Sequence, residues 1–376
     1  MNRVPFFELK RLYVEQKTEI DSAVSQVLSS GWYILGKAGE SFEAAFGESL
    51  AGSGARAVGC NSGTDALILS FLVAGAGPDS EIITPSHTAI PTVTAIRSTG
   101  ATPVFADIDA DTWLLDPARI ENLITPKTRA IVAVHLYGNM VALEPIQKLL
   151  RSKGREDIAI IEDVAQAQGS TFNGKQAGTI TRLGAFSFYP SKNVGALGDG
   201  GAVFASSAED QKALRTFRNY GQMSRYHAEL DHGLNSRLDE IQAAILEVRL
   251  KKLSEWNRRK TAMMEKYRSA LLGLPLRFQK VTPGCVPAWH LGVIALESLA
   301  KRDALMTHLK DQGVETMVHY PIPVHRQKAF QGLSKASLPV TESLADRIVS
   351  LPMNAALTES EQAQVIDQVL AFFKGA

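Results

Sequence analysis

Residues 184–201 read GAFSFYPSKNVGALGDGG and set a lone lysine, Lys192, between an aromatic run and a glycine-rich loop. The aromatic run is apolar and breaks at Pro190, which predicts a buried strand that ends just before the lysine. Such neighbours would desolvate the amine and lower its pKa, leaving a neutral nucleophile that can form a Schiff base. The alternative is an ordinary lysine in an exposed loop.

The composition is that of a globular protein of enzyme size. With 376 residues, 45% of them hydrophobic, the chain is long enough for about two domains. A net charge of +1 without long basic runs argues against nucleic-acid and membrane partners. Cys60 and Cys285 lie far apart and lack metal-ligand spacing, so we expect neither a disulfide nor a metal site. No apolar signal segment is visible, which predicts a cytoplasmic protein.

Short β-like runs alternate with helical stretches up to about residue 205. This alternation predicts an α/β fold with a mostly parallel sheet covered by helices. Ligands of such sheets bind beyond the carboxyl ends of the strands. The predicted strands are residues 56–59, 81–84, 103–107, 130–136, 158–162, 185–188 and 202–205, separated by helices that include 64–74, 90–98 and 143–152.

A long helical pattern over residues 238–267 leads into the C-terminal part of the chain. We predict a large domain over residues 1–250 and a smaller α+β domain over 251–376. Thr358 and Glu361 have the spacing of a capping box at a helix start. The other predicted C-terminal elements are a strand at 290–296, a helix from Ser298 to Gly313 and a helix that starts near Thr341.

Residues 61–65, Asn-Ser-Gly-Thr-Asp, follow a predicted strand and open a predicted helix. Free backbone N–H groups and the helix dipole favour an anion at such a position. Alternatively, Ser62 or Thr64 only caps the helix while Gly63 eases the turn. The glycine and lysine spacing of a P-loop is absent here.

Residues 160–166 form a second pattern, an apolar strand that ends in Glu162 and Asp163 with Gln166 beyond. An acid at the end of a central strand is unfavourable unless a cation pairs with it. The partner of Asp163 could be a lysine, a metal or a protonated heterocycle. The metal is disfavoured because no further ligand lies at suitable spacing nearby. A capping aspartate is the alternative interpretation.

An anion site, an acid at a strand end and a desolvated lysine on one sheet edge match the needs of pyridoxal phosphate. The phosphate would bind at the helix start, Asp163 would keep the ring nitrogen protonated, and Lys192 would hold the aldehyde. A dinucleotide-binding enzyme is disfavoured because no Gly-x-Gly-x-x-Gly follows a strand. We therefore expect a pyridoxal-phosphate enzyme.

Distinctive stretches occur along nearly the whole chain, at residues 31–36 (GWYILG), 61–67 (NSGTDAL), 84–88 (TPSHT), 134–138 (VHLYG), 161–166 (IEDVAQ), 186–201 and 219–243. Jointly they resemble the DegT/DnrJ-type sugar aminotransferases, which are fold-type I pyridoxal-phosphate enzymes acting on nucleotide-linked keto-sugars. The segment at 235–239, Asn-Ser-Arg-Leu-Asp, is similar to the branch that aminates C3 of dTDP-3-keto-6-deoxyhexoses.

The resemblance implies a role for each matching residue. Lys192 would carry the cofactor and move a proton between the cofactor and the substrate carbon, while Asp163 would bind the ring nitrogen. Gln166 would donate to the ring hydroxyl. The family's active sites are shared across a homodimer, which is also the commonest oligomer. The implied phosphate contacts are Gly63, Thr64, Ser187 and, from the neighbouring subunit, Asn235.

The chain departs from the family pattern at some positions. The family usually places an aromatic residue two positions after His87 to stack on the cofactor ring, whereas this chain has Ala89. Either His87 takes this role or no residue does. Gln168 stands where many relatives have histidine. Relatives with histidine in place of Lys192 are dehydratases, so that branch is disfavoured.

Further candidates would contact the substrate. Residues 316–325 look like the family's sugar-side loop, and their hydroxyl and imidazole groups suit a sugar or a diphosphate. Taken singly, each could also be a packed loop residue. The substrate candidates are Tyr33, Arg225, Tyr226, His319, Tyr320 and His325.

These features together predict a ping-pong aminotransferase. It would take an amino group from L-glutamate and transfer it to a nucleotide-linked 3-keto-6-deoxyhexose, with dTDP as the expected nucleotide. One alternative is amination at C4 of the sugar. Another is a regulatory relative that keeps the fold without catalysis.

Overall fold

The computed structural model describes residues 3–333 and 336–375. Within these ranges, no helix combines the length and the apolar character needed to cross a bilayer. The strands are β1 (Ala57–Cys60), β2 (Glu81–Pro85), β3 (Thr102–Ala106), β4 (Thr128–Val134), β5 (Ala159–Asp163), β6 (Thr171–Phe172), β7 (Lys175–Gln176), β8 (Leu183–Ser187), β9 (Gly201–Ala205), β10 (Gln222–Ser224), β11 (His227–Ala228), β12 (Arg277–Phe278), β13 (Cys285–Val286), β14 (Gly292–Ala295) and β15 (Ile348–Leu351).

Helices cover both faces of the main sheet. Short 3₁₀ turns occur at Pro117–Arg119, Glu121–Leu123, Leu136–Gly138, Val324–Arg326 and Lys328–Phe330. The α-helices are α1 (Leu9–Glu15), α2 (Lys17–Ser30), α3 (Lys37–Ala51), α4 (Gly63–Val73), α5 (Ile90–Ser98), α6 (Leu143–Ser152), α7 (Ala208–Phe217), α8 (Glu240–Leu250), α9 (Leu253–Ala270), α10 (Leu299–Asp311), α11 (Pro339–Ala345) and α12 (Glu359–Lys374).

The main sheet has seven strands in the order β1-β9-β8-β5-β4-β2-β3. The pairs β2–β3, β2–β4, β4–β5 and β5–β8 are parallel, whereas β9 runs antiparallel to both β8 and β1. Every strand of this sheet coincides with a predicted strand to within about two residues at each end. Differences of this size are usual when strand boundaries are assigned. The predicted α/β class and the mostly parallel sheet are confirmed.

The sheet is buried because its strands are apolar along their whole length. All residues of β1, β5, β8 and β9 are buried, so none of these four strands shows the alternation of a half-exposed sheet. On one face, Phe186 and Phe188 pack edge-to-face on Phe46 of α3 at centroid distances of 5.0 and 5.2 Å. This packing fixes the end of β8, from which the Lys192 loop departs.

The helical pattern at residues 238–267 is interrupted in the structure. It divides into α8 and α9, with a turn at Lys251 and Lys252 between them. The prediction of one continuous helix was wrong. The apolar residues keep their helical spacing through the turn, so the sequence pattern does not show the break. Each of the two helices packs its own apolar face, Leu246 in the large core and Met264 in the second one.

The C-terminal part has its own sheet, β12-β14-β15, and its own core. The capping box of Thr358 and Glu361 is confirmed at the start of α12. Val4 packs in this second core and pairs with Val314, so the segment around Val4 lies with the C-terminal part. The division into domains at residue 250 stays a prediction.

Glu162 organises the turn between β7 and β8. It is fully buried and accepts backbone N–H bonds from Gly178, Ile180 and Thr181 at 2.8–2.9 Å. The His135 Nε2 lies 3.0 Å from it, while Nδ1 of the same ring accepts from a backbone N–H. Burial raises the pKa of Glu162, but these hydrogen bonds outweigh it and hold the pKa below the usual value.

We expect Glu162→Ala to reduce the free energy of unfolding by about 3 kcal/mol or more, because it leaves several buried donors unpaired. Chemical denaturation of purified protein would measure this. The control Glu144→Ala changes an exposed glutamate that pairs with Lys148 on α6. It should leave the denaturation midpoint unchanged. Equal midpoints for the two variants would contradict the role of Glu162.

Candidate active site

A network of hydrogen bonds holds the loop that carries Lys192. The Lys192 N–H donates to the Tyr189 carbonyl at 2.8 Å, and the Ala196 N–H donates to the Phe188 carbonyl at 2.7 Å. Gln168 bridges the two ends of the loop. Its amide donates to the Ser187 carbonyl and its oxygen accepts from the Val194 N–H, both at 2.6 Å. The loop is therefore rigid although it lacks regular secondary structure.

Asn193, the residue after the lysine, anchors the loop to the C-terminal part of the chain. Its amide donates to Asn257 of α9 at 2.9 Å and to the Ala288 carbonyl at 3.0 Å. Its oxygen lies 3.1 Å from Nδ1 of His290. Burial lowers the pKa of His290 well below its ordinary value, and the charge of Lys192 lowers it further. His290 is thus a neutral partner of the loop.

Lys192 itself has the electrostatic character that its sequence context predicts. Burial lowers the pKa of its amine to about 8, while the charge of Asp163 acts in the opposite direction. A substantial fraction of the amine is therefore neutral near pH 8, unlike an ordinary lysine with a pKa of ~10.4. The interpretation as an exposed loop lysine is wrong, since the side chain is partly buried and desolvated.

Asp163 is the last residue of β5, at the carboxyl edge of the sheet beside β8. Its carboxylate accepts from the Thr92 hydroxyl and from the Ala165 N–H, each at 3.1 Å. Burial raises the pKa of Asp163, and these two bonds together with the charge of Lys192 only partly offset the rise. A buried carboxylate with so few donors is suited to pair with an additional cationic group.

Gln166 is oriented by the backbone of Tyr137. Its amide oxygen accepts from the Tyr137 N–H at 2.9 Å, so its amide nitrogen faces the Tyr320 hydroxyl at 3.0 Å. The Tyr137 hydroxyl in turn contacts Nε2 of His87 at 2.9 Å and donates to the His319 carbonyl. Burial lowers the pKa of His87 to about 4, so this imidazole is neutral. These residues line one continuous polar region.

The turn at the start of α4 meets the end of β8 at van der Waals distance. A Cβ added to Gly63 would lie 2.4 Å from Cβ of Ser187, so only glycine fits here. The Ser62 hydroxyl accepts from the Asp65 N–H at 3.1 Å and caps the helix. The capping alternative and the anion site are thus compatible, because Thr64 forms no hydrogen bond with the described residues through its hydroxyl.

These residues fit pyridoxal phosphate. The Gly63 turn, with the free Thr64 hydroxyl and Ser187 beside it, is a cradle for an anion at a helix start. Asp163 is a buried carboxylate suited to a protonated ring nitrogen, and Lys192 is a partly buried amine with a lowered pKa. Within the described residues, the donor set thus contains one group for each polar part of the cofactor.

The predicted sugar-side residues differ in their burial and in their hydrogen-bond partners. His319 is half-buried, its Nδ1 lies 2.9 Å from Ser350, and burial together with the charge of Lys192 lowers its pKa to about 4. Tyr320 contacts Gln166 and therefore lies in the polar region around Lys192. His325 is buried, with its ring nitrogens at 2.7 Å from Ser86 and 3.1 Å from Glu342. A substrate contact by His325 would require breaking one of these bonds.

The other predicted contacts lie on the exposed surface of the subunit. The Tyr33 hydroxyl donates to the Leu28 carbonyl at 3.3 Å, and the Arg225 guanidinium stacks on the Tyr226 ring at 5.0 Å. Tyr226 is 81% exposed and Asn235 is also exposed. Within one subunit, the structure therefore does not bring Tyr33, Arg225, Tyr226 and Asn235 together with the Lys192 cluster.

Several residues that position the site were not predicted from the sequence. Thr92 donates a hydrogen bond to Asp163 from the first turn of α5, where a threonine has no distinctive spacing. Tyr137 has a backbone φ of 64°, which a non-glycine residue rarely adopts, and the adjacent Gly138 was the available hint of an unusual turn. Gln168 was noticed only as a departure from the family pattern. Its clamp on the lysine loop depends on tertiary contacts.

We expect competitive labelling of the cofactor-free protein with acetic anhydride to show half-maximal reactivity of Lys192 at about pH 8. Mass spectrometry of the Lys192 peptide would provide the titration curve. In Asp163→Asn the midpoint should move lower, because the carboxylate that favours the ammonium form is lost. A midpoint near the ordinary lysine value of ~10.4 would contradict the desolvation of this amine.

Comparison with known proteins identifies the family. The sequence model of the DegT/DnrJ/EryC1/StrS aminotransferase family matches residues 14–370. A dTDP-3-amino-3,4,6-trideoxy-alpha-D-glucose transaminase from Streptomyces venezuelae is 43% identical over 370 residues, covering 98% of this chain and 95% of the relative. The erythromycin biosynthesis sensory transduction protein EryC1 of Saccharopolyspora erythraea is 42% identical over 374 residues, covering 99% of both.

The fold comparison agrees with the sequence comparison. The crystal structure of S. venezuelae DesV in complex with a ketimine intermediate superimposes with a TM-score of 0.94 at 42% identity. The superposition covers 100% of this chain and 99% of that one. The predicted fold-type I architecture is confirmed, and these matches support a sugar aminotransferase function. The chain belongs to the DegT/DnrJ/EryC1/StrS aminotransferase family and is a pyridoxal-phosphate-dependent enzyme.

Proposed function

We propose that this protein transfers the amino group of L-glutamate to a dTDP-linked 3-keto-6-deoxyhexose, giving a 3-amino sugar. The observation that carries the proposal is the partly buried, desolvated Lys192 beside Asp163, next to the anion turn at Gly63. The relative from S. venezuelae supports the sugar class, because its name states a 3-amino product on dTDP. The 235–239 segment supports C3 over C4, as its resemblance to the C3 branch implies.

Each residue of the Lys192 cluster has a role in the proposed reaction. Pyridoxal phosphate, when bound, supplies an electron sink that makes the hydrogen on the amine-bearing carbon removable. The Lys192 Nζ holds the cofactor and then takes up and returns that proton as a general base and acid. Asp163 keeps the ring nitrogen protonated, and Gln166 donates to the ring hydroxyl. The phosphate contacts are Gly63, Thr64 and Ser187.

The lowered pKa of Lys192 suits this task. A general base works best when its pKa lies near the operating pH, and burial brings the Lys192 pKa to about 8. In the first half of the reaction, glutamate leaves its amino group on the enzyme, takes up one water molecule and departs as 2-oxoglutarate. In the second half, the keto group of the sugar takes the amine and releases water, and Lys192 is regenerated.

The sugar would lie between the sheet edge and the sugar-side loop. Tyr320 contacts Gln166, and His319 is neutral, so both can donate to or accept from sugar hydroxyls without adding charge. His87 packs edge-to-face on Tyr137 with ring centroids 5.8 Å apart, and we propose that it contacts the cofactor ring in place of an aromatic residue at Ala89. His325 would act indirectly, through its bonds to Ser86 and Glu342.

We also propose a homodimer with shared active sites. Large apolar side chains that would usually be buried are exposed along residues 32–35, including Trp32 at 63%. Tyr226 is exposed in the hairpin between β10 and β11, and Asn235 is exposed in the segment before α8. In a symmetric dimer these groups can complete the neighbouring site, where Asn235 would reach the phosphate and Tyr33, Arg225 and Tyr226 the substrate.

The regulatory alternative is less well supported than the enzymatic one. EryC1 carries a regulatory name, so the family includes proteins described in that way. A protein without catalysis has no need for an amine with a lowered pKa or for a lysine clamped by Gln168 and Asn193. The intact cluster therefore favours an enzyme.

We expect Lys192→Ala to lower kcat by about 10⁴-fold or more, since one group supplies both the covalent anchor and the acid–base function. The visible absorbance of the lysine-bound cofactor should disappear while the circular dichroism spectrum stays unchanged. Lys148→Ala serves as the control, because this lysine is exposed on α6 and pairs with Glu144. Turnover by Lys192→Ala at the rate of the control would disprove the assigned role.

We expect dTDP-3-keto-6-deoxyhexoses to be used with a kcat/KM at least about tenfold higher than that of 4-keto isomers or UDP-linked analogues. Mass spectrometry would detect the amine, and NMR would locate it at C3 or C4. Preference for the 4-keto isomer would establish the C4 alternative. If no sugar is aminated and L-glutamate leaves the visible absorbance unchanged, the regulatory alternative is correct.

A further inference from the structure

The side chain of Ser236 connects the loop before α8 to the anion turn of the same subunit. Ser236 is completely buried. Its hydroxyl donates to Oδ2 of Asp65 at 2.8 Å and accepts from the Asn61 N–H at 3.1 Å. Asn61 and Asp65 flank Gly63 and Thr64, so one hydroxyl holds both ends of the turn that would bind the phosphate.

The bond from Ser236 also restrains a negative charge close to the anion turn. Asp65 lies in the first turn of α4, and its backbone N–H donates to the Ser62 hydroxyl. A carboxylate near a phosphate site repels the phosphate unless donors hold the carboxylate and offset its charge. Ser236 supplies such a donor, so its loss would affect phosphate binding more than the fold of the domain.

On its other side, Ser236 fixes the backbone next to Asn235. The Ser236 N–H donates to the Arg218 carbonyl at 2.9 Å, and Asn235 forms a β-bridge with Asn219. The Arg237 guanidinium donates to the Asn219 side chain at 2.9 Å. Asn235 itself is exposed. The loop is therefore held rigidly against its own subunit while the Asn235 side chain is presented outward.

We propose that Ser236 is a positioning residue that couples the two cofactor sites of the dimer. Through Asn61 and Asp65 it shapes the phosphate turn of its own subunit, and through the adjacent backbone it orients Asn235 for the phosphate of the neighbouring subunit. The coupling rests on the proposed function, specifically on the shared active sites. A change at one hydroxyl should accordingly weaken phosphate binding in both sites.

The first test compares two ligands in the cofactor-free dimer. Ser236→Ala should weaken binding of pyridoxal phosphate about tenfold, as expected for the loss of a hydrogen bond to a charged group. Binding of pyridoxal, which lacks the phosphate, should stay the same. Absorbance titrations provide both affinities. Ser70→Ala is the matched control, since Ser70 is equally buried in α4 and its hydroxyl donates to the Ala66 carbonyl at 2.7 Å.

The control variant should bind both ligands like the unmodified protein. If Ser236→Ala weakens pyridoxal as much as pyridoxal phosphate, the residue has a general structural role and the proposal fails. Unchanged affinity for pyridoxal phosphate would overturn it as well.

The second test examines the coupling in mixed dimers. One subunit carries Lys192→Ala, so the visible absorbance of lysine-bound cofactor reports only the other, unmodified site. Ser236→Ala is then added to the Lys192→Ala subunit, and it should weaken cofactor binding in the unmodified site about threefold or more. For comparison, Asn235→Ala is placed in the same Lys192→Ala subunit instead of Ser236→Ala. This substitution removes the proposed contact across the interface directly.

The two proposals fail differently in this experiment. If Asn235→Ala weakens the unmodified site and Ser236→Ala does not, the coupling is wrong and the shared sites stand. If neither substitution has an effect, the shared active sites are wrong and the coupling falls with them.

Discussion

The parallel pairing of β5 with β8 sets the distance between the two charged groups on which the site depends. In this register Asp163 lies opposite Ala185, and β8 continues to Ser187 before the chain turns into the lysine loop. Both strands end at the same edge of the sheet because they are parallel. The carboxylate and the amine thus meet in a buried region, where burial raises the pKa of Asp163 and lowers that of Lys192.

Burying these groups is unfavourable, and the surrounding polar network offsets part of that free energy. Asp163 receives bonds from Thr92 and from the backbone, whereas Lys192 has its loop clamped by Gln168 and Asn193. Neither group is fully paired by the protein. A cofactor with a basic ring nitrogen and an aldehyde can supply a partner for the Asp163 carboxylate and for the Lys192 amine.

The sequence was informative where the chemistry of a residue is decided by its neighbours along the chain. Uninterrupted apolar runs predicted every strand of the main sheet, and Pro190 with its glycines marked the lysine loop. Glu162 and Asp163 look alike in sequence, yet successive residues of a strand point to opposite faces. One therefore holds the turn at 178–181, and the other faces Lys192. Thr92 and the break at residues 251–252 depend on tertiary packing, which no local pattern encodes.

The site divides into a half that one subunit completes and a half that it does not. The buried half contains Lys192, Asp163 and the Gly63 turn, to which we assign the proposed reaction. The exposed half contains Tyr33, Arg225, Tyr226 and Asn235, whose partners within the subunit lie away from the Lys192 cluster. In the proposed homodimer, substrate choice would depend on how the two subunits approach each other. For this reason a single sequence predicts amino transfer far more firmly than it predicts the sugar.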